Sequence, residues 1–259
     1  MDIVVCVKRV PDLAEAELEI DGRSQRLDVS DIDQGINEWD NFAVEAAVQL
    51  KEAHGARVTA VTVGDEEGEE VLRRALAMGA DEALHLCDPS FEDADPWVVA
   101  SALAKALEGR SCDLVLCGAI SSDGTSGHVG GMLAALLDVP QVALATHLEV
   151  TGGKALVRHE VEGGLEREVE LDLPALVTVQ TGIIEPRYVS IRGIRKVADV
   201  EIPVKSAADL GLDAAAASSR VTLEEMFLPP AGEGAEILEG GTDEVVAKLI
   251  ERLREKGGL

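Results

Sequence analysis

The stretch RVTAVTVGDEEGEEVLRRALAMGADEALHL, residues 57–86, decides the fold. Arg57 to Val63 is rich in β-branched side chains and predicts a strand. Glu67 to Met78 spaces its apolar residues helically and stops at Gly79, and Glu82 to Leu86 returns to strand character. A strand, a helix and a second strand joined by short turns form a crossover unit, and such units are right-handed and lay their strands parallel.

The neighbouring segments repeat the unit. Upstream, Ile3 to Val7 is a short apolar strand, followed by a polar stretch from Asp12 to Asp33 that predicts an exposed excursion. Trp39, Phe42, Ala43, Ala46, Ala47 and Leu50 then share one helical face, with Asn37 as the N-cap and Gly55 as the stop. Downstream, Asp95 caps and Pro96 opens a helix running to Gly109; Asp113 to Cys117 is a strand, and a glycine-rich loop leads into a helix from about Ser126 to Leu137. The expected fold class is α/β, a doubly wound, mostly parallel sheet with helices on both faces.

After Pro140 the texture changes. Gly152-Gly153 and Gly163-Gly164 supply the positive φ angles of hairpin turns, so an antiparallel hairpin extension is expected at about 144–172, with Ala175 to Val179 returning to the main sheet. We expect one α/β domain over residues 1–197 and a C-terminal arm over 198–259. The arm ends in a helix from Thr242 to Glu255, whose stripe of Val245, Val246, Leu249, Ile250 and Leu253 needs covering by the chain's own core or by a partner.

Composition removes several classes of function. With 49 acids against 23 bases the net charge is -26, which repels phosphate backbones and argues against nucleic-acid binding. No apolar run is long enough to span a membrane, and MDIVVCVKRVPD enters a strand at once with no basic or cleavable leader, so a cytoplasmic protein is expected. Cys6, Cys87, Cys112 and Cys117 lack metal-ligand spacing and read as buried thiols in a reducing compartment.

In open α/β sheets ligands bind outside the carboxyl ends of the strands, where strand order reverses. Cys6-Val7-Lys8, Val63-Gly64 and the loop from Gly118 to Gly130 should converge there. That loop joins glycines and hydroxyls to a helix N-terminus, whose unpaired amides can hold a phosphate without a lysine; as a plain connection, Ser126 would cap the helix. There is no Gly-x-Gly-x-x-Gly after the first strand, no Gly-x4-Gly-Lys-Ser/Thr and no Gly-x-Ser-x-Gly, which disfavours dinucleotide dehydrogenases, P-loop hydrolases and serine hydrolases. Of the five histidines only His128 falls in the candidate site. A second feature is Arg187 to Lys196, where four bases gather without an acid around Ile191 and Ile194, a docking surface steered by charge or an ordinary terminal helix.

Taken together, several motifs resemble the β-type subunit of electron transfer flavoproteins. They are Val7-Lys8-Arg9-Val10-Pro11-Asp12, Ile36-Asn37-Glu38-Trp39-Asp40 leading into Ala43-Val44-Glu45-Ala46-Ala47, Ala75-Leu76-Ala77-Met78-Gly79-Ala80-Asp81, the loop from Gly118, Pro140-Gln141 and Glu185-Pro186-Arg187-Tyr188. The resemblance implies an electron carrier subunit rather than an enzyme, electron-bifurcating in some relatives, with no catalytic side chains and no metal. It implies a heterodimer with an electron transfer flavoprotein alpha subunit that holds most of the FAD, with AMP or a second FAD in this chain. Acyl-CoA or other dehydrogenases are the implied redox partners.

Carried over by position, the cofactor contacts are Cys6, Asn37, Glu38, Trp39, Asp40, Val63, Gly118, Ala119, Ile120, Ser121, Ser122, Asp123, Gly124, Thr125, Ser126, Gly127, His128 and Val129. Partner docking falls to Arg187, Tyr188, Ile191 and Arg192 in a recognition loop at about 182–197, with Ile191 where the family usually has leucine. Two departures stand out: the family's basic residue after the loop's first glycine is Ala119 here, and the proline usual after the early asparagine is Glu38. The residues alone also admit an adenine-nucleotide-binding regulatory or stress-type α/β protein without flavin.

Overall fold

The computed structural model describes residues 1–14, 16–213, 215–230, 232 and 234–258. It falls into two compact units, one of Met1–Glu19 with Asp28–Glu224, the other of Ile20–Leu27 with the chain from Glu225 onward.

The first unit is built on a nine-stranded sheet. Its central strands are β1 (Asp2–Cys6), β4 (Arg57–Gly64), β5 (Glu82–Cys87), β6 (Leu114–Gly118) and β10 (Ala175–Val179). The order across the sheet is β11-β5-β4-β1-β6-β10-β7-β8-β9, with β11 (Val204–Lys205), β7 (Gln141–Thr151), β8 (Lys154–Val161) and β9 (Leu165–Asp172) completing it. Pairing is parallel from β11 through β7 and antiparallel only between β7, β8 and β9. The fold class is therefore the doubly wound α/β sheet with a hairpin extension that the sequence predicts. Both predicted glycine pairs sit in its turns at positive φ.

Period-two alternation in β1 sorts the two cores. Ile3 and Val5 face α1 (Glu38–His54) and α2 (Glu69–Met78), packing with Ala43, Ala47 and Leu72. Val4 and Cys6 face α3 (Pro96–Leu107) and α4 (Val129–Leu137), packing with Val98, Leu103 and Leu133. Val5 sits opposite Ala60 on one side and Leu116 on the other, so β1 is central and its apolar run is buried on both faces.

Several elements differ from expectation, each for a local reason. The helix expected from Glu67 begins as a 3-10 turn, Glu66–Gly68, because Asp65 accepts from the Gly68 amide, and α2 proper starts at Glu69. The helix expected from Ser126 begins at Val129, since Gly127 has φ +62 and cannot continue a right-handed turn back to Ser126. Inside the exposed excursion, β2 (Arg9–Pro11) and β3 (Gln34–Ile36) close a small antiparallel ribbon. Within the expected arm, Pro203 accepts from the His85 amide beside β11, Leu210 is buried, and Asp95 accepts from the Arg220 amide. Cys6 and Cys117 are buried as expected, whereas Cys87 and Cys112 are only half-buried; all four are free.

In the second unit, Ile20 and Leu27 form an isolated antiparallel bridge, and Met226 joins them through its amide to Gln25 O at 2.9 Å and its sulfur to the Leu27 amide at 3.3 Å. The terminal helix, α6 (Thr242–Glu255), has the predicted bounds, and no residue of it is buried.

Candidate functional site

The chain leaves β1 for β4 and β5 on one side and returns to β6 on the other, so strand order reverses between β1 and β6. Their carboxyl ends open the crevice where α/β sheets bind ligands. Lys8 follows β1, Gly118 ends β6, and the first turn of α1 lies between them.

Asp40 ties the three together. One carboxylate oxygen accepts from the Lys8 amide at 2.8 Å and the other from the Gly118 amide at 3.0 Å. Buried there, its carboxyl is pushed up to about 7 by desolvation, against the pull of the Lys8 amide, the Asn37 side chain and the Gly118 amide. Gly118 has to be glycine: a Cβ would overlap the Asp40 carboxylate and come within 2.7 Å of Trp39 Cβ.

Asn37 occupies the N-cap position of α1, but its side chain makes no cap bond. Instead its amide donates to Ile120 O at 2.8 Å and its carbonyl accepts from the Ser122 amide at 3.2 Å, pinning the start of the loop. The next segment closes on itself where Thr125 N donates to Ser121 O at 2.9 Å, with Thr125 at φ +47. Lys8 Nζ reaches this turn, donating to both Asp123 oxygens at 2.8 and 2.6 Å and lying 3.4 Å from Ser121 Oγ.

Beyond the turn, the amides from Ser126 through Gly131 have no acceptor among the described residues. They lead into the N-terminus of α4, where the helix dipole adds partial positive charge. Residues 122–128 are exposed, so the first of these donors, Ser126 to His128, stand open at the sheet edge, while Gly130 is buried. The ensemble can hold an anion by backbone dipoles, with Ser121, Ser122, Thr125 and Ser126 offering hydroxyls beside them.

Direct bonds thus bring together Asn37, Asp40, Gly118, Ile120 and the turn Ser121 to Thr125 of the expected contacts. Cys6 is buried at the end of β1, Val63 is half-buried near the end of neighbouring β4, and Ala119 is buried with its amide donating to Val179 O at 3.0 Å. Glu38 is exposed, Trp39 half-buried beside Gly118, and His128 exposed at the mouth of α4. Lys8, expected at this edge with Cys6 and Val7 but absent from the contacts carried over by position, supplies the ammonium that meets the loop.

The predicted docking segment divides in two. Arg187 turns inward: its guanidinium meets Glu45 at 2.8 and 3.0 Å and Glu52 at 2.8 Å. Tyr188 is 89% exposed and Ile191 69%, and Ile191 opens the short helix α5 (Ile191–Lys196), whose N-cap Ser190 accepts from the Gly193 amide; Arg192 is exposed beside it. Glu45 was missed by sequence reasoning, yet an acid inside the apolar face Ala43 to Ala47 calls for a cation. Two concavities are lined by none of the expected cofactor contacts, one of about 460 Å³ between residues 236–239 and α6, the other of about 520 Å³ between the end of α1 and β7.

A model of the electron transfer flavoprotein domain matches residues 27–210, a span that takes in every bond of the edge except those made by Lys8 itself. Electron transfer flavoprotein subunit beta of Bacillus subtilis is 38% identical over 99% of this chain and 98% of its own length. This chain belongs to the electron transfer flavoprotein beta-subunit family. The mouse electron transfer flavoprotein subunit beta is 36% identical over 96% of each chain, and the caffeyl-CoA reductase-Etf complex subunit CarD of Acetobacterium woodii is 35% identical over 99% of each. As a beta-family member the chain is an electron-transfer protein. Among its described residues no group of three or more acids, cysteines and histidines could hold a metal, and no helix is long and apolar enough to cross a membrane.

Proposed function

We propose that this chain is the smaller subunit of a heterodimeric electron transfer flavoprotein that exchanges electrons with dehydrogenases, acyl-CoA dehydrogenases among the candidates, and that its sheet edge anchors an adenosine phosphate. The FAD held mainly by the larger subunit supplies the redox chemistry. The residues of this chain bind, orient and dock.

The observation that carries this is the run of acceptor-free amides from Ser126 to Gly131 at the point where strand order reverses. Amides that converge at a helix N-terminus without protein acceptors form an anion site, and a phosphate supplies the acceptors. Asn37 and Asp40 tie the start of the loop leading to that run to the end of β1, which favours a preorganised site. AMP and the AMP half of a second FAD would both present the phosphate these donors fit. The exposed Tyr188, Ile191 and Arg192 fit the docking role, with Ile191 as the apolar anchor and the neighbouring bases as steering charge. Four free thiols suit a reducing cytoplasm.

Mass spectrometry of the nucleotide released from the chain co-expressed with its larger subunit tests the site. One equivalent of AMP, or FAD beyond one per heterodimer, is the expected result. A flavin-loaded heterodimer that releases no nucleotide from this subunit would end the proposal. For docking, Ile191→Ala and Arg192→Glu should each raise the KM for the dehydrogenase while leaving flavin content intact. Unchanged KM with every dehydrogenase would refute that part.

A further inference from the structure

We infer that Lys8 is the phosphate-selecting cation of this edge, that Asp123 is a built-in stand-in for the ligand's charge, and that exchanging one for the other favours a phosphomonoester such as AMP over a diester such as FAD. This rests on the adenosine-phosphate site proposed above and adds its selectivity.

The loop from Gly118 to Gly131 contains no lysine or arginine. In a chain of net charge -26, amide dipoles alone would have to outweigh a strongly negative surface. Lys8 is the charge that reaches the loop from outside it, and it is fully engaged: both oxygens of Asp123 lie within 2.8 Å of Nζ, and Ser121 Oγ at 3.4 Å. Asp123 Oδ1 also accepts from the Gly124 amide at 2.6 Å, so the carboxylate already sits on one ammonium and one backbone donor, as a phosphate oxygen pair would. Burial would raise the Asp123 carboxyl, but Lys8 and the Ser121 hydroxyl overcome it and hold it below its ordinary range, so it is ionised at neutral pH.

The pair is open to exchange. Its side chains are 48% and 31% exposed, so solvent screens the attraction and the bond is weak enough to open. A monoester carries close to two negative charges on one phosphorus at pH 7, since its second pKa is about 6. Trading a monoanionic carboxylate for such a dianion gains Coulomb attraction to Lys8, whereas each phosphate of a pyrophosphate diester offers one charge and gains nothing in the trade. The displaced Asp123 then repels whatever replaced it, which lowers affinity for any anion and makes binding depend on salt.

Calorimetric titration of the full-length chain, freed of nucleotide, with AMP, FAD and adenosine at several KCl concentrations tests this. Lys8→Gln should weaken AMP about tenfold while leaving adenosine within about twofold, and Lys8→Arg should restore most of the loss. Asp123→Asn should tighten AMP severalfold and widen its preference over FAD, because the displaced carboxylate repels the dianion more. If Lys8→Gln weakens AMP and adenosine alike, or neither, or if FAD suffers as much as AMP, the selectivity role is wrong. If none of the three compounds binds the native chain, the nucleotide site itself is wrong, a separate failure.

Discussion

At the scale of single residues, Asp40 has the most to say. Its two oxygens reach amides 32 and 78 positions away in sequence, so no local pattern could announce its role. The asparagine and aspartate were legible as contacts only through the family motif, and both turn out to brace the loop. Protonation of Asp40 near neutrality makes this brace sensitive to pH. Its folded-state value, about 7, is above the ordinary 3.8, so its contribution to stability is complete below about pH 4 and is lost as pH rises to about 7. Between pH 5 and pH 8 the native chain should therefore lose about 2 kcal/mol relative to Asp40→Asn, measured by urea unfolding of both proteins at each pH. Parallel pH profiles for the two would show that Asp40 is solvated rather than buried.

At the scale of elements, the crossover units were legible because strands buried on both faces read as apolar runs and the helices between them carry caps and glycine stops. Less was legible where length or context fails. The strands Gln34–Ile36 and Val204–Lys205 are too short for alternation to show, and Gly127 displaces the start of α4 in a way that Ser126, a good N-cap in isolation, conceals. The segment before α5 is held by one such nonlocal device. Burial alone would push the Glu45 carboxyl up, but the Arg187 guanidinium and amide hold it below the usual range, and Glu52 takes the remaining side of the fork. Arg187→Ala leaves Glu45 buried without its cation, and should cost about 2 kcal/mol in chemical denaturation, allowing for the arginine's partial exposure. Faster amide exchange over residues 188–196 should accompany it. A cost no larger than that of truncating the exposed Arg192 would show that the fork contributes little.

At the scale of the whole molecule, charge dominates. A net charge of -26 on 259 residues drives self-repulsion that salt relieves, so the thermal midpoint should rise by about 5 °C or more between 50 mM and 1 M KCl. A midpoint that is flat or falls over that range would mean that the ion pairs lost to screening outweigh the repulsion. The other long-range feature is the way Met226 closes on the turn between Ile20 and Leu27 across about 200 positions of chain. Such a closure links two distant stretches in their vulnerability to proteases. Cutting the chain back to residue 224 should open the peptide bonds after Arg23 and Arg26 to trypsin about tenfold faster, although neither residue has been touched. Equal rates in the full and shortened chains would mean that the early turn keeps its shape unaided.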